Sequence, residues 1–205
     1  MGIIKKEETA EQLLERLSGH AGNILKMFMA YFKTPNDIDI CRALIFTAGL
    51  TGHACHQAVK AEKGSFVIVT TKDGKRYYFG DHLNRYLMED PLSIMNCCIA
   101  VSDISRDEVL SIISDCAKHI GEENFTVCGY KPKSLYEEVS SCWEGIFDNM
   151  TSKYCESPGE WPVLFGIVLQ NIMFLAIDAG APKEEVGRIA VECAVAVSKM
   201  DEDTF

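Results

Sequence analysis

The residue types that could support chemistry are concentrated between positions 47 and 85. His53 and His56 are three residues apart, so on a helix they project from neighbouring positions and could share a ligand. A zinc ion would need one or two further protein ligands, and Asp81 and His82 follow nearest in sequence. The candidate metal ligands are therefore His53, His56 and His82. Because the chain has no Cys-x-x-Cys or His-Glu-x-x-His motif, neither a metal nor another cofactor is predicted.

Two catalytic interpretations use the same region. In the first, the histidines act as general acid and base in a site between a small-residue helix at 47–58 and a hairpin exit at 77–85. In the second, Cys55 is a nucleophile. On a helix, however, Cys55 points about 200° away from His53, so that imidazole is badly placed to deprotonate the thiol. An enzyme is therefore the alternative, and a non-catalytic protein is favoured.

The segment 47–58 is poor in bulky side chains. Gly49 and Gly52 each cost a helix about 1 kcal/mol relative to alanine. Close approach of another backbone or of a ligand often offsets such a cost, and plain packing is favoured over a pocket. If a small molecule binds here, the candidate ligand-binding residues are His53, His56, Gln57, Tyr78, Asp81, His82 and Arg85.

The elements that must position these residues are marked by helix starts. In a capping box, a serine or threonine and a glutamate or glutamine three residues later satisfy free N–H groups of the first turn. Four segments fit this pattern: Thr9–Gln12, Ser105–Glu108, Ser134–Glu137 and Ser157–Glu160. With the other start and stop signals, helices are predicted at about 9–33, 37–62, 82–89, 91–102, 106–120, 134–150, 158–179 and 182–200. The sequence therefore predicts a mostly helical α+β fold, a bundle of about eight helices with a single β-hairpin inserted after the second helix.

The hairpin is predicted from two runs rich in β-branched and aromatic residues, at 66–71 and 76–79. They are joined through Asp73-Gly74, which is typical of a two-residue type I′ turn and would place Val69 opposite Tyr78. Both faces of this ribbon are apolar, and a lone two-stranded ribbon is marginal in water. Helices of the same chain can cover one face and a second subunit the other, so a symmetric homodimer is predicted.

The apolar segment 161–181 is long enough to span a bilayer. It contains adjacent Gln170 and Asn171, and it lacks a basic flank of the kind that orients membrane helices. An apolar helix of this length is equally typical of the centre of a core. A buried core helix is therefore predicted, without contact to a membrane.

Length, charge and cysteine usage limit the function classes. The 205 residues fit one globular domain over 1–205, with short flexible termini at about 1–8 and 201–205. The net charge of −10 argues against nucleic acid as a partner. Nine cysteines at irregular spacings, without a signal peptide, predict free thiols and a cytoplasmic location. The favoured function is a non-catalytic homodimeric interaction protein or small-ligand-binding protein.

Overall fold

The computed structural model describes residues 8–35 and 37–205, and it is mostly helical with one antiparallel hairpin after the second helix, as predicted. The strands are β1 (Val67–Thr70) and β2 (Arg76–Phe79). The helices are α1 (Ala10–Tyr31), α2 (Ile40–Ala61), α3 (Asp81–Asn84), α4 (Ile94–Val101), α5 (Arg106–His119), α6 (Pro132–Cys142), α7 (Asp148–Tyr154), α8 (Trp161–Asp178) and α9 (Lys183–Ser198). π-helical turns at Arg85–Glu89 and Trp143–Phe147 follow α3 and α6, and 3-10 turns lie at Pro158–Glu160 and Glu202–Thr204.

Two of the four predicted capping boxes are present. Thr9 caps α1 and Ser105 caps α5, each with the reciprocal side-chain bond. The box at Ser134 is wrong because α6 begins two residues earlier, at Pro132, where the missing N–H of proline costs nothing. The box at Ser157 is also wrong, since the residues after it form a 3-10 turn and the serine side chain caps no N–H group.

The middle of α2 lies at the centre of the core, between α8 and α9. A Cβ atom on Gly52 would lie 2.0 Å from the carbonyl oxygen of Ala194, so glycine is what lets these two backbones approach. A Cβ atom on Gly49 would lie 3.2 Å from the Leu135 side chain of α6. The two glycines therefore serve the packing of α2 against its neighbours.

One segment among the described residues, Pro158–Asp178, is long and apolar enough by length and composition to cross a membrane. It consists of the 3-10 turn and α8, and 56% of its most apolar window is buried inside the protein. Its helix packs against α1, α2 and α4. The segment thus occupies the place of a core helix.

The hairpin register differs by one residue from the predicted one. Val69 pairs with Tyr77, the residue before its predicted partner. The N–H of Thr71 donates to the carbonyl oxygen of Lys75 at 2.8 Å, which closes a three-residue loop. Gly74 alone in this loop has a positive φ, 87°, as in a type I turn followed by a left-handed glycine. The predicted two-residue turn is wrong, and the shift changes which residues of the two strands share a face.

The chain itself covers β2 on both faces and leaves β1 exposed. Tyr77 and Tyr78 are each 5% exposed, although they point to opposite faces. The loop after α5 lies against Tyr77, and α2 lies against Tyr78. By contrast, Val67, Ile68 and Val69 are 61%, 51% and 49% exposed. Within the hairpin, the apolar surface that remains uncovered belongs to β1.

The C-terminal segment packs against the outer edge of β2. The N–H of Tyr78 donates to the carbonyl oxygen of Lys199 at 2.9 Å. The hydroxyl of Thr204 donates to the carbonyl oxygen of Arg76 at 2.6 Å. Asp201 and Thr204 are buried. These residues belong to the segment 201–205, for which a flexible end is predicted from the sequence. Of the flexible N-terminal segment predicted at 1–8, residues 1–7 lie outside the described residues.

Candidate functional site

A polar cavity of about 310 Å³ lies between α2, the α6 region and the C-terminal segment. His53, Gln57 and Lys60 of α2 line one side, and their spacing of four and three residues places them on one helix face. The other sides are lined by Tyr136, Ser140, Trp143, Glu144, Asp148, Asp201 and Glu202. The cavity therefore contains two of the predicted ligand-binding residues, His53 and Gln57.

His53 is the deeply buried polar side chain of this cavity, 1% exposed. The amide nitrogen of Gln57 donates to its Nε2 at 3.2 Å, and the rings of Tyr136 and Trp143 meet it edge-on at centroid distances of 5.6 and 5.4 Å. Burial, followed by the neighbouring charge of His56, lowers the pKa of His53 to about 3. The ring is therefore neutral at physiological pH.

The protonation pattern of His53 leaves one donor without a partner. Because Nε2 accepts from Gln57, the single proton of the neutral ring is on Nδ1. Nδ1 is buried and has no hydrogen-bond partner among the described residues. A buried donor left unsatisfied costs about 1–3 kcal/mol.

His56 lies behind the cavity, fully buried, with both ring nitrogens engaged. Nδ1 is 2.9 Å from the carbonyl oxygen of Ser198, and Nε2 is 3.2 Å from Oδ2 of Asp201. A carbonyl oxygen and a carboxylate only accept, so each ring nitrogen carries a proton and donates. The ring of Phe66 stacks on the imidazole at 4.7 Å. His56 is therefore an imidazolium whose charge is balanced by Asp201.

Asp201 joins α2 to the C-terminal segment. Its Oδ2 accepts from His56 and also from Nζ of Lys60 at 2.8 Å, while Oδ1 accepts the N–H of Glu202 at 2.7 Å. Burial by itself would raise the pKa of Asp201, but the hydrogen bonds from His56 and Lys60 outweigh it and hold that pKa below its ordinary range. The side chain is thus a carboxylate at neutral pH, and it fixes one wall of the cavity.

The rim of the cavity is acidic. Four carboxylates and one ammonium group line it, and the ammonium of Lys60 is paired with Asp201. The carboxylates of Glu144, Asp148 and Glu202 have no ion-pair partner in the described part of the chain. A concave surface with one sign of charge concentrates small ions of the opposite sign. The cavity therefore favours a cation.

No protein-family model, curated protein or solved structure matches this chain. The cavity is therefore interpreted from its own geometry. Its two distinguishing features are the unsatisfied donor of His53 and the unpaired carboxylates of the rim.

Tyr78 packs against His56 and belongs to the hairpin contact. Its ring meets the His56 ring at 5.0 Å, and its hydroxyl donates to Oδ2 of Asp203 at 3.3 Å. Burial, followed by the charges of Asp201 and Asp203, raises the pKa of Tyr78. Tyr78 and His56 thus support the cavity wall, and neither lines the cavity.

The hairpin exit forms a separate group. Nδ1 of His82 lies 3.2 Å from the hydroxyl of Ser65, and a guanidinium nitrogen of Arg85 lies 3.0 Å from a carboxylate oxygen of Glu62. Asp81 is exposed in the first turn of α3. These side chains are outside the cavity lining, so the single site predicted between 47–58 and 77–85 divides into two places. Among the described residues, no group of three or more histidine, cysteine or acidic side chains is arranged to hold a metal ion.

Sequence reasoning missed the wall that faces α2. Tyr136, Ser140 and Trp143 follow one another at intervals of four and three residues, and Glu144 and Asp148 extend the same stripe. This is the periodicity of one helix face. The same signal links His53 through Gln57 to Lys60, so two polar and aromatic helix faces were visible in the sequence. Their meeting across the cavity depends on tertiary packing.

Proposed function

We propose that this protein binds a small cationic molecule in the cavity beside His53. The observation that carries the proposal is the coincidence of an unsatisfied buried donor with an acidic rim. The ligand would carry an amine or quaternary ammonium group facing Glu144 and Asp148, and a hydrogen-bond acceptor for the N–H of His53. At about 310 Å³, the cavity is at the lower end of the range for small-molecule sites.

Aromatic side chains favour the same class of ligand. Trp143 and Tyr136 line the cavity beside His53, and an aromatic face within about 6 Å attracts a cation. Burial raises the pKa of Tyr136 to about 12, so its ring stays a neutral phenol and adds no further charge. Attraction from the carboxylates and from the rings would therefore act in the same direction.

Binding is better supported than catalysis. With its pKa lowered to about 3, His53 is a very weak base at neutral pH. Both nitrogens of His56 are occupied by Ser198 and Asp201, so this ring has no free position from which to take a proton. Cys55 is fully buried, and burial raises its pKa well above the ordinary range, which disfavours the thiolate that a nucleophile needs.

The proposal is tested by calorimetric titration with 1,4-diaminobutane and tetramethylammonium, and with uncharged 1,4-butanediol as the matched neutral probe. We expect saturable binding of at least one cation with a Kd of about 1 mM or lower, which corresponds to roughly 4 kcal/mol. The intrinsic fluorescence of Trp143, which lines the cavity, provides a second readout.

Two double variants are compared. The cavity pair is Glu144→Gln with Asp148→Asn, and the control pair is Glu15→Gln with Glu184→Gln. The second pair removes the same charge from exposed positions outside the cavity. The cavity pair should weaken cation binding about tenfold or more and the control pair by less than twofold. Equal binding of the diol, equal effects of the two pairs, or no cation binding at about 10 mM would contradict the proposal.

We also propose that the protein forms a homodimer through the outer edge of β1. The backbone groups of Ile68 and Thr70 that point away from β2 have no partner in the described part of the chain. Exposed apolar side chains flank this edge, and an open, apolar edge strand readily pairs with another strand. A two-fold axis would place β1 beside its own copy in antiparallel orientation.

Sedimentation equilibrium at micromolar concentration tests this second proposal. The expected mass is twice that of the chain, and Ile68→Lys should shift it to the single chain, because a charge at the edge opposes strand pairing. Leu110→Lys is the control, since Leu110 is an exposed apolar residue of α5. A wild-type monomer, or a dimer unaffected by Ile68→Lys, would argue against pairing through β1.

A further inference from the structure

Two cysteines that are 65 residues apart in sequence meet at the surface of α9. Sγ of Cys193, on α9, lies 3.8 Å from Sγ of Cys128, in the loop between α5 and α6. All nine cysteines lie in the described part of the chain, and each is a free thiol there. A disulfide needs its sulfur atoms about 2.05 Å apart, so a movement of about 1.8 Å would join this pair.

The loop carrying Cys128 is built as a tight turn. Val127 and Tyr130 exchange two backbone hydrogen bonds, of 2.9 and 2.8 Å, around Cys128 and Gly129. Both central residues have positive φ, 50° for Cys128 and 80° for Gly129. Glycine adopts this region freely, whereas a cysteine there is uncommon and needs local support. The turn directs Sγ of Cys128 against α9.

The two thiols occupy unequal positions. Cys193 is fully buried, while Cys128 is half-buried and donates to Oε2 of Glu192 at 3.6 Å. The thiol of Cys193 donates to the sulfur of Cys128. This hydrogen bond, together with burial, raises the pKa of Cys193 well above the ordinary value of a thiol. Cys193 therefore keeps its proton, and Cys128 is the sulfur whose thiol faces a carboxylate.

A second cavity lies beside this pair, and its lining includes the carboxylate partner of Cys128 but neither of the two cysteines. Its volume is about 380 Å³, and Glu192, Val127 and Cys116 are among its lining residues. The carboxylate of Glu192 also lies 3.5 Å from the guanidinium of Arg188, which holds it in place. The half-buried Cys128 is the immediate neighbour of both Val127 and Glu192.

We propose that Cys128 and Cys193 form a redox site whose substrate is a hydroperoxide, with Cys128 as the attacking thiol and Cys193 as the resolving thiol. Glu192 accepts the proton of Cys128 as its sulfur attacks the outer oxygen of the peroxide. The O–O bond breaks, Cys128 becomes a sulfenic acid, and the leaving alkoxide takes the proton. The sulfur of Cys193 then attacks the Cys128 sulfur while the Cys193 proton passes to the departing hydroxide, so that the disulfide forms and water is released. The two thiols together lose two electrons, and one hydroperoxide is reduced.

The test uses the reduced full-length protein and one equivalent of hydrogen peroxide, followed by alkylation of the remaining thiols and peptide mapping. We expect two thiols to be lost and one linked peptide pair that contains Cys128 and Cys193, lighter by two hydrogen atoms than its reduced form. Dithiothreitol should restore all nine thiols. Disulfide formation at any other pair, or recovery of Cys128 as an unlinked sulfinic acid, would overturn the proposal.

The order of the two steps is tested with Cys128→Ser and Cys193→Ala. Cys128→Ser should slow peroxide consumption about tenfold or more, whereas Cys193→Ala should still consume peroxide and accumulate a sulfenic acid that dimedone traps. Cys142→Ser, which removes a half-buried thiol of α6, is the matched control and should leave the rate unchanged. Since Cys128 lies on a surface turn, its variant tests the proposal even if Cys193→Ala fails to fold. A wild-type rate in Cys128→Ser would reject the assignment.

Discussion

Gly52 of α2 faces Ala194 of α9 so closely that a methyl group at position 52 would lie 2.0 Å from the Ala194 carbonyl oxygen. Carbon and oxygen atoms that are not bonded do not approach to this distance, so a side chain here requires the two helices to separate. Because α2 and α9 form the largest helix contact of the core, their spacing also fixes the positions of His53 and His56 relative to the C-terminal segment.

Gly52→Ala should therefore be strongly destabilising. We expect a loss of about 3 kcal/mol or more in the free energy of unfolding, the upper end of the cost of overpacking a core. Urea denaturation followed by circular dichroism measures this change. The control is Gly22→Ala on α1, where an added Cβ meets nothing within 4 Å. Alanine is the better helix former, so Gly22→Ala should stabilise by about 0.5–1 kcal/mol.

His53 should make the fold sensitive to acid. Its pKa is about 3 in the folded protein and near 6.5 when unfolded, so the unfolded state binds more protons between these values. The stability contribution of the neutral ring is fully present above pH 6.5 and falls as the pH decreases toward 3, by about 5 kcal/mol in total at about 1.36 kcal/mol per unit. His53→Phe, which keeps an aromatic ring, should flatten this dependence in urea titrations from pH 7 to 4. His119→Gln, at an exposed position, should leave it intact.

Lys199 is a buried cation that should cost stability at neutral pH. It is 2% exposed, and Nζ lies 4.4 Å from the centre of the Phe79 ring, with no carboxylate partner in the described part of the chain. Burial lowers its pKa to about 8. Lys199→Met removes this penalty but also the cation–π contact, so a net gain of about 1–2 kcal/mol is expected at pH 7.

The stability difference between the wild type and Lys199→Met should also change with pH. Between pH 8 and 10.5 the unfolded lysine keeps its proton while the folded one has lost it, so wild-type stability rises relative to Lys199→Met. The advantage of the methionine variant should therefore be present below pH 8 and disappear by about pH 10.5. An advantage that is constant across this range would show that Lys199 is not titrating as described.

Asp201 should be essential to the buried charge of His56. Asp201→Asn removes the carboxylate that accepts from His56 and Lys60, so the fully buried ring loses its charge together with a hydrogen bond, and we expect a loss of about 1–3 kcal/mol. Asp203→Asn is the matched control, because Asp203 is exposed and its ion pair with Arg76 is a surface pair. The control should change stability by less than about 1 kcal/mol. Equal losses in the two variants would show that the His56–Asp201 pair has no special role.

Local signals explain what the sequence predicted correctly. The capping boxes at Thr9 and Ser105 act within four residues, and the start of each helix follows from them. The sequence also predicted the hairpin correctly, but it did not predict the register of the two strands. Asp73-Gly74 is compatible with a two-residue or a three-residue loop. The structure has the three-residue loop, so Val69 pairs with Tyr77 and not with Tyr78.

The candidate site was only half predictable. His53 and Gln57 are one helical turn apart, so their pairing on α2 could be inferred from spacing. The partner that fixes His56 is Asp201, 145 residues away, and no local pattern connects them. Asp81 and His82 are much nearer to His56 in sequence, yet they belong to a different group. Distance along the chain is a poor guide to which polar residues meet in a core.

The distance between His56 and Asp201 also has a consequence for how the chain is made. On the ribosome, α2 emerges long before the residues that neutralise its buried imidazole have been synthesised. At about 5–20 residues per second, the delay is of the order of ten seconds. During that interval His56 has neither the Ser198 carbonyl nor the Asp201 carboxylate, so a ring buried with α2 would leave its polar nitrogens without these partners. Productive collapse of this chain is therefore expected to follow synthesis of the residues near 201.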